Sequence, residues 1–200
     1  MQEYVSTLRS GDILDAKVTH PDQFGCFVDI GCGISSLIPI YAISVSRIAH
    51  ASDRFLPGMD IKAVVSGRDD AGRLVLSHKE LLGTWQQNAD CFTPGETVSG
   101  VVRSVESYGI FIELAPNLAG LAELREGVRP GQQASVYIKS MNREKMKIKL
   151  ALVDCFDDRK QVKEPHYFIT QGHLSRWDYA PPGACKQMTS IFDTEEDDSL

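Results

Sequence analysis

Two hundred residues, 42% hydrophobic and 24% charged, are enough for one large or two small globular domains and exclude a fibrous or disordered chain. The apolar runs are far shorter than the ~20 residues a membrane span needs, and residues 1–30 lack a basic stretch leading into an apolar one. No span and no signal peptide are therefore expected, and a cytoplasmic location is. The net charge of −6 is uneven: −2 over residues 11–80, +1 over 95–154 and −4 over 155–200, so nucleic-acid binding would rest on stacking and local patches, not on a global field.

The first segment, 9–80, alternates with period two, the mark of half-buried strands. Leu14, Ala16 and Val18 alternate with Asp15 and Lys17, and Cys26, Val28 and Ile30 with Phe27 and Asp29. A short strand is expected near Leu37–Ile40, then helical turns over Tyr41–Leu56. Ile61, Ala63 and Val65 and then Leu74 and Leu76 supply two more strands. Residues 81–93 read as a linker helix or turn, with Trp85 as an interdomain packing residue.

The second segment, 94–154, repeats the first. Gly11-Asp12-Ile13-Leu14 corresponds to Gly95-Glu96-Thr97-Val98, and Phe24-Gly25-Cys26-Phe27-Val28-Asp29-Ile30 to Tyr108-Gly109-Ile110-Phe111-Ile112-Glu113-Leu114, both at an offset of 84 residues. Leu37 meets Leu121 in the same register. Pro57-Gly58 meets Pro130-Gly131 at an offset of 73, so the second copy is eleven residues shorter. Its inner positions are Val98, Gly100, Val102, Ile110, Ile112, Leu114, Val136, Ile138, Ile148 and Leu150. Five short strands per copy with glycine-marked turns predict an all-β protein of two tandem five-stranded antiparallel barrels, closed so that no edge is exposed.

In each copy an aromatic sits beside an acid on the outward face: Phe27 with Asp29, and Phe111 with Glu113. Phe24 and Tyr108 precede them across Gly25 and Gly109, where a bulge or tight bend would return the earlier ring to the same face. Exposed rings suit unpaired bases, each stacked base contributing roughly 1–3 kcal/mol. Lys17, Lys62 and Arg73 in the first copy, and Arg103, Lys147 and Lys149 in the second, are the candidate phosphate contacts. A plug at a barrel end remains the structural alternative for the rings, and a solvated strand edge for the lysines.

Residues 155–192 follow the repeats. Tyr167-Phe168-Ile169, Leu174, Trp177 and Tyr179 are too apolar for a solvated tail, so this extension is expected to fold onto the second barrel over the surface left by the missing loop. The acidic residues 193–200 are expected to be disordered. The five cysteines are scattered with no C-x-x-C pair, which argues against a disulfide framework and a standard zinc site. Cys155, His166, His173 and Cys185 match no metal-ligand spacing. No cofactor is expected.

These residues resemble the S1 domain family, an OB-fold repeat. The likeness is carried by Gly11-Asp12-Ile13-Leu14-Asp15-Ala16-Lys17-Val18, Phe24 to Gly31, Leu37-Ile38-Pro39-Ile40, Phe55-Leu56-Pro57-Gly58 and Gly72 to Ser77. It is close over 9–80 and looser over 94–153, and is strongest to the bacterial ribosomal-protein-S1-like proteins with several repeats. The resemblance implies two OB-type barrels and a binding platform of two aromatics, a histidine, an aspartate and an arginine. Phe24, Phe27, Asp69 and Arg73 match that platform, while Pro39 stands at the histidine position. In the second copy Tyr108 and Phe111 match, Lys147 replaces the arginine and Glu123 the histidine.

Single-stranded RNA, with mRNA and the small ribosomal subunit as partners of a monomer, is the implied function. A protein adaptor docking on the ribosome or an RNA-processing enzyme is the alternative, favoured by Pro39, Glu123 and the negative charge. No P-loop, nucleophile elbow or HExxH supports an enzyme. Arg9-Ser10-Gly11 opens the first repeat almost at once, so the chain is also readable as a C-terminal piece of a longer multi-repeat protein.

Overall fold

The computed structural model describes residues 2–31, 33–158 and 161–193. A short helix α1 (Gln2–Thr7) leads into β1 (Ile13–Pro21), β2 (Gly25–Asp29), β3 (Ser35–Pro39), β4 (Asp60–Arg68) and β5 (Leu74–Ser77). Helix α2 (Trp85–Ala89) then leads into β6 (Thr97–Glu106), β7 (Gly109–Ala115), β8 (Leu118–Ala122), β9 (Gln133–Asn142) and β10 (Lys147–Phe156). The extension adds a two-stranded ribbon of β11 (Arg176–Asp178) and β12 (Thr189–Ile191). Each set of five closes into a barrel, in the order β1-β2-β3-β5-β4 and, for the second, β10-β8-β7-β6-β9.

The alternation predicts the core well. Leu14, Ala16, Val18, Cys26, Val28, Ile30, Ile61, Ala63, Val65, Leu74 and Leu76 are all buried in one cluster. In the second barrel Val102, Ile110, Ile112, Val136, Ile138, Ile148 and Leu150 are buried, whereas Val98 and Leu114 are only partly so. One departure from a purely antiparallel barrel appears: closure is by a parallel pair, Leu37 opposite Val75 and Leu121 opposite Lys149.

The expected bulge lies in the preceding strand and not at the glycines. Register slips between Val18 and His20 in β1, and between Val102 and Ser104 in β6, leaving Thr19 and Arg103 as the extra residues. Gly25 and Gly109 serve a different need. A Cβ at Gly25 would lie 2.2 Å from the Ile38 carbonyl oxygen, and one at Gly109 2.7 Å from that of Ala122. The neighbouring strand approaches too closely for a side chain in both copies.

The excess loop of the first copy forms two 3₁₀ turns, Ile40–Ala42 and Ala51–Asp53. Between the barrels, Thr84 and Gln87 form a capping box that starts α2. Trp85, at the head of that helix, is buried in the second barrel's core cluster.

The extension runs elsewhere than expected. Its contacts go mainly to the first barrel: Ile13 N–H donates to the Gly172 carbonyl (3.1 Å), Leu174 N–H to Gly11 (2.8 Å) and Phe168 N–H to Leu81 (2.9 Å). Phe192 is buried with Val64 and Leu81, and Tyr167, Ile169 and Leu174 pack around them. From the extension, Asp157 reaches the second barrel through Arg129 and Gln132, and Tyr179 through its core cluster and the Asn117 carbonyl. The physical reason is that β1, β4 and the turn Lys79–Leu82 leave Ile13, Val64 and Leu81 uncovered on the first barrel's flank. Of the predicted disordered segment 193–200, only Asp193 lies within the described residues.

Candidate nucleic-acid interface

The hairpin between β1 and β2 carries Phe24 at its tip. The Asp22 carboxylate accepts from the Phe24 N–H (2.6 Å) and the Gly25 N–H (3.0 Å), which fixes the turn. Phe24 is 72% exposed and Phe27 37%. Phe27 has a neighbour that period counting missed: the His20 ring stacks on it, centroids 6.5 Å apart and planes 25° from parallel. The bulge at Thr19 brings His20 opposite Phe27. Without knowledge of that bulge, strand parity assigns His20 to the core. Tyr41 was also missed; it is exposed and follows Ile40, whose N–H donates to the Phe24 carbonyl.

The outward row across the first barrel reads His20, Phe27, Leu37, Val75. The same row in the second barrel reads Ser104, Phe111, Leu121, Lys149. Tyr108 is 67% exposed and lies edge-on to the half-buried Phe111, centroids 6.0 Å apart. Both barrels thus bring an aromatic pair to the same face. In the second barrel Lys149 joins the row and Lys147 lies two residues before it on the same strand side.

The predicted cations divide. Lys17 is paired with Asp60 (2.8 Å), Lys62 with Asp15 (2.7 Å) and Arg73 with Asp69 (2.8 Å). Hydrogen bonds from the Arg73 and Ala71 N–H groups and the Arg73 side chain hold the Asp69 carboxyl below the usual range. Lys147 and Lys149 are exposed and carry no ion pair among the described residues. Glu123 is exposed, 3.9 Å from Lys139.

Arg103 does not stand free as expected. Its side chain is 15% exposed and grips Glu113 through two nitrogens, at 3.2 and 2.9 Å. Glu113, expected to face solvent beside Phe111, is covered by the first barrel. Arg54, from the loop that the second copy lacks, donates to both its oxygens, at 2.9 and 2.7 Å, and to the Ser44 hydroxyl. Burial raises the Glu113 carboxyl, but the Arg54 and then the Arg103 hydrogen bonds and charges outweigh it and hold it below its ordinary range. The bulge at Arg103 and the docking of a second barrel are tertiary features that a strand pattern does not encode.

Around this carboxylate the barrels are joined directly. Ser46 N–H donates to the Pro116 carbonyl (3.0 Å) and Val45 N–H to the Asn117 side-chain oxygen (3.0 Å). The Asn117 amide donates to the Lys79 and Gly83 carbonyls, both at 2.8 Å.

The potential metal ligands do not converge: Cys155 bonds Gln132, His166 lies edge-on to Phe168, and His173 sits between Asp12 and Asp193. The thiols described, Cys26, Cys91, Cys155 and Cys185, are free. No helix among the described residues is long and apolar enough to cross a membrane.

The family profile of the S1 RNA binding domain matches residues 7–79, the whole of the first barrel. The small ribosomal subunit protein bS1 homolog of Bacillus subtilis is 32% identical over 178 residues, an alignment that takes in 82% of this chain and so both barrels. The chain is a tandem S1-domain protein. Small ribosomal subunit protein bS1 of Staphylococcus aureus is 29% identical over 75% of the chain, and that of Staphylococcus haemolyticus 29% over 86%. The S1-domain chain spans about half the length of these relatives, 46%, 41% and 46% respectively.

Proposed function

We propose that this S1-domain pair binds single-stranded RNA by stacking bases on Phe24 and Phe27 in the first barrel and on Tyr108 and Phe111 in the second, with no catalytic role. The observation that carries the reading is the recurrence, at equivalent positions of both barrels, of a well-exposed ring (Phe24, Tyr108) beside a more sheltered one (Phe27, Phe111). Rings held in water at a barrel face are costly to leave bare and have a natural partner in the π-face of any base. Lys147 and Lys149, beside Phe111, are the phosphate contacts that need no partner displaced, whereas Lys17, Lys62 and Arg73 must first leave a carboxylate. Asp69 acts by orienting Arg73. Relatives named as small ribosomal subunit proteins favour mRNA at the ribosome as the setting, with this chain acting as a cytoplasmic monomer.

Fluorescence anisotropy with labelled single-stranded RNA at several salt concentrations tests this. Binding should weaken with salt at a slope near −0.7 per phosphate neutralised. A folded Phe24→Ala/Phe27→Ala variant should bind at least tenfold more weakly, since each stack contributes about 1–3 kcal/mol. Absence of salt-dependent binding by the wild-type protein overturns the reading. It would favour an adaptor docking on the ribosome or an RNA-processing enzyme, which the paired cations of the first barrel also fit.

A further inference from the structure

Residues 45–54 belong to the loop that the first repeat has and the second lacks, and their contacts alternate between the barrels. Val45 and Ser46 are bonded to Asn117 and Pro116 at the β7–β8 turn of the second barrel. Ala51 N–H donates to the Asp22 carbonyl (2.9 Å), two residues from Phe24 in the first barrel. Arg54 then returns to Glu113, two residues from Phe111 in the second. The segment is therefore an arch whose feet stand on the second barrel and whose crown leans on the aromatic turn of the first.

Its charge is suited to a polyanion. Glu113 is neutralised by two arginines, so the buried cluster at the foot of the arch carries a net positive charge. Arg47 is exposed on the crown and has no ion pair among the described residues, unlike Lys17, Lys62 and Arg73. His50 Nδ1 accepts from the Ser52 N–H at 3.1 Å, which puts the ring proton on Nε2 as a donor. The acids nearby are turned to backbone groups: Asp22 holds the Phe24 and Gly25 N–H groups, and Asp53 the His50 N–H.

We infer that residues 45–54 form the central part of one continuous RNA track, with Arg47 and His50 contacting the strand as it passes from the aromatic pair of the first barrel to that of the second. The inference rests on the RNA-binding reading above and adds the path between the two sites. Two sites on a flexible tether gain avidity that depends on linker length. Two sites fixed by a bonded arch engage a strand in one geometry, and a strand too short to cross the arch gains nothing from it.

The test uses the full chain and two labelled oligouridines. One has about 6 nucleotides, within the range of a single OB fold, and the other about 24, long enough for both. Arg47→Ala/His50→Ala should weaken binding of the long probe by about three- to tenfold and make its salt slope shallower by about 0.7, leaving the short probe unaffected. Because His50 also caps the turn Ala51–Asp53, Arg47→Glu serves as a second variant that keeps the cap, with a change in the same direction and larger. Unchanged binding of the long probe by Arg47→Glu overturns the inference while leaving the RNA reading intact. Equal weakening of both probes also overturns it, since Arg47 would then belong to a single-barrel site. Failure of the wild-type protein to bind either probe overturns both readings together.

Discussion

Arg54 and Glu113 are 59 residues apart and on different barrels, yet they form a two-pronged ion pair at 2.7 and 2.9 Å in a site almost closed to water. Removing one partner of such a pair strands the other charge in a poor solvent, at a cost of about 3–5 kcal/mol. Glu113→Gln, which leaves Arg54 and Arg103 facing each other, is expected to lower stability by that order and to loosen the barrels from one another. Urea unfolding followed by scattering measurements of the radius of gyration checks both effects. Replacing all three by apolar residues of similar volume should cost much less, because it removes the desolvation penalty along with the attraction.

The cations should separate in titrations. Lys147→Ala/Lys149→Ala is expected to make the salt slope of RNA binding shallower by about 1.4, two phosphates at 0.7 each. Lys17→Ala/Lys62→Ala should change it little, since Asp60 and Asp15 already neutralise these side chains. Equal effects of the two double variants would contradict the pairing seen in the first barrel.

Stability should rise with pH between about 4 and 6.5. His78 is fully buried between the Ile43 carbonyl (2.7 Å) and the Tyr167 hydroxyl (3.0 Å), and burial, aided by the Arg54 charge, brings it down from 6.5 to about 4. Across that window the unfolded chain takes up a proton that the folded chain refuses, so acidification draws the equilibrium toward unfolding, by an amount on the order of 3 kcal/mol in full. Glu113, held low, loses its contribution in the same direction as pH falls further. His173 opposes them weakly. Its hydrogen bonds to Asp12 and Asp193 raise it, so its contribution is complete below 6.5 and fades as pH climbs through the raised value. Urea midpoints at several pH values, with NMR titration of the histidine ring protons, measure all three.

Tyr167→Phe should cost about 1–3 kcal/mol, since the hydroxyl satisfies both His78 and the Lys62 N–H. Phe192→Ala should cost about 3 kcal/mol through the cavity it leaves against Val64 and Leu81. Deleting residues 161–200 combines these losses, and hydrogen exchange should then show the first barrel, not the second, losing protection. The location of the lost protection is the decisive readout.

Most of the fold is legible in the sequence because a barrel this small repeats one rule, an apolar residue at every second position. That rule locates Val28, Ile61 and Ile148 correctly, and the repeat offset aligns Phe27 with Phe111. It fails where the rule is broken by one residue. The extra residue at Thr19 puts His20 beside Phe27, and the extra residue at Arg103 turns a supposed surface cation into a buried clamp. It also fails for contacts between units: nothing local to Glu113 announces that Arg54 covers it, and nothing local to Phe192 says which barrel it completes.

The path of the extension has a consequence in time. Glu80, buried beside the first barrel, holds the Ser77 hydroxyl (2.6 Å) and the Ser190 hydroxyl (2.8 Å), so one of its two partners lies 110 residues further along the chain. At a synthesis speed of about 5–20 residues per second, roughly 5–20 s separate the emergence of that carboxylate from the arrival of the group that satisfies it. During this interval the flank formed by Ile13, Val64 and Leu81 lacks the Leu174 and Phe192 side chains that pack on it in the finished protein.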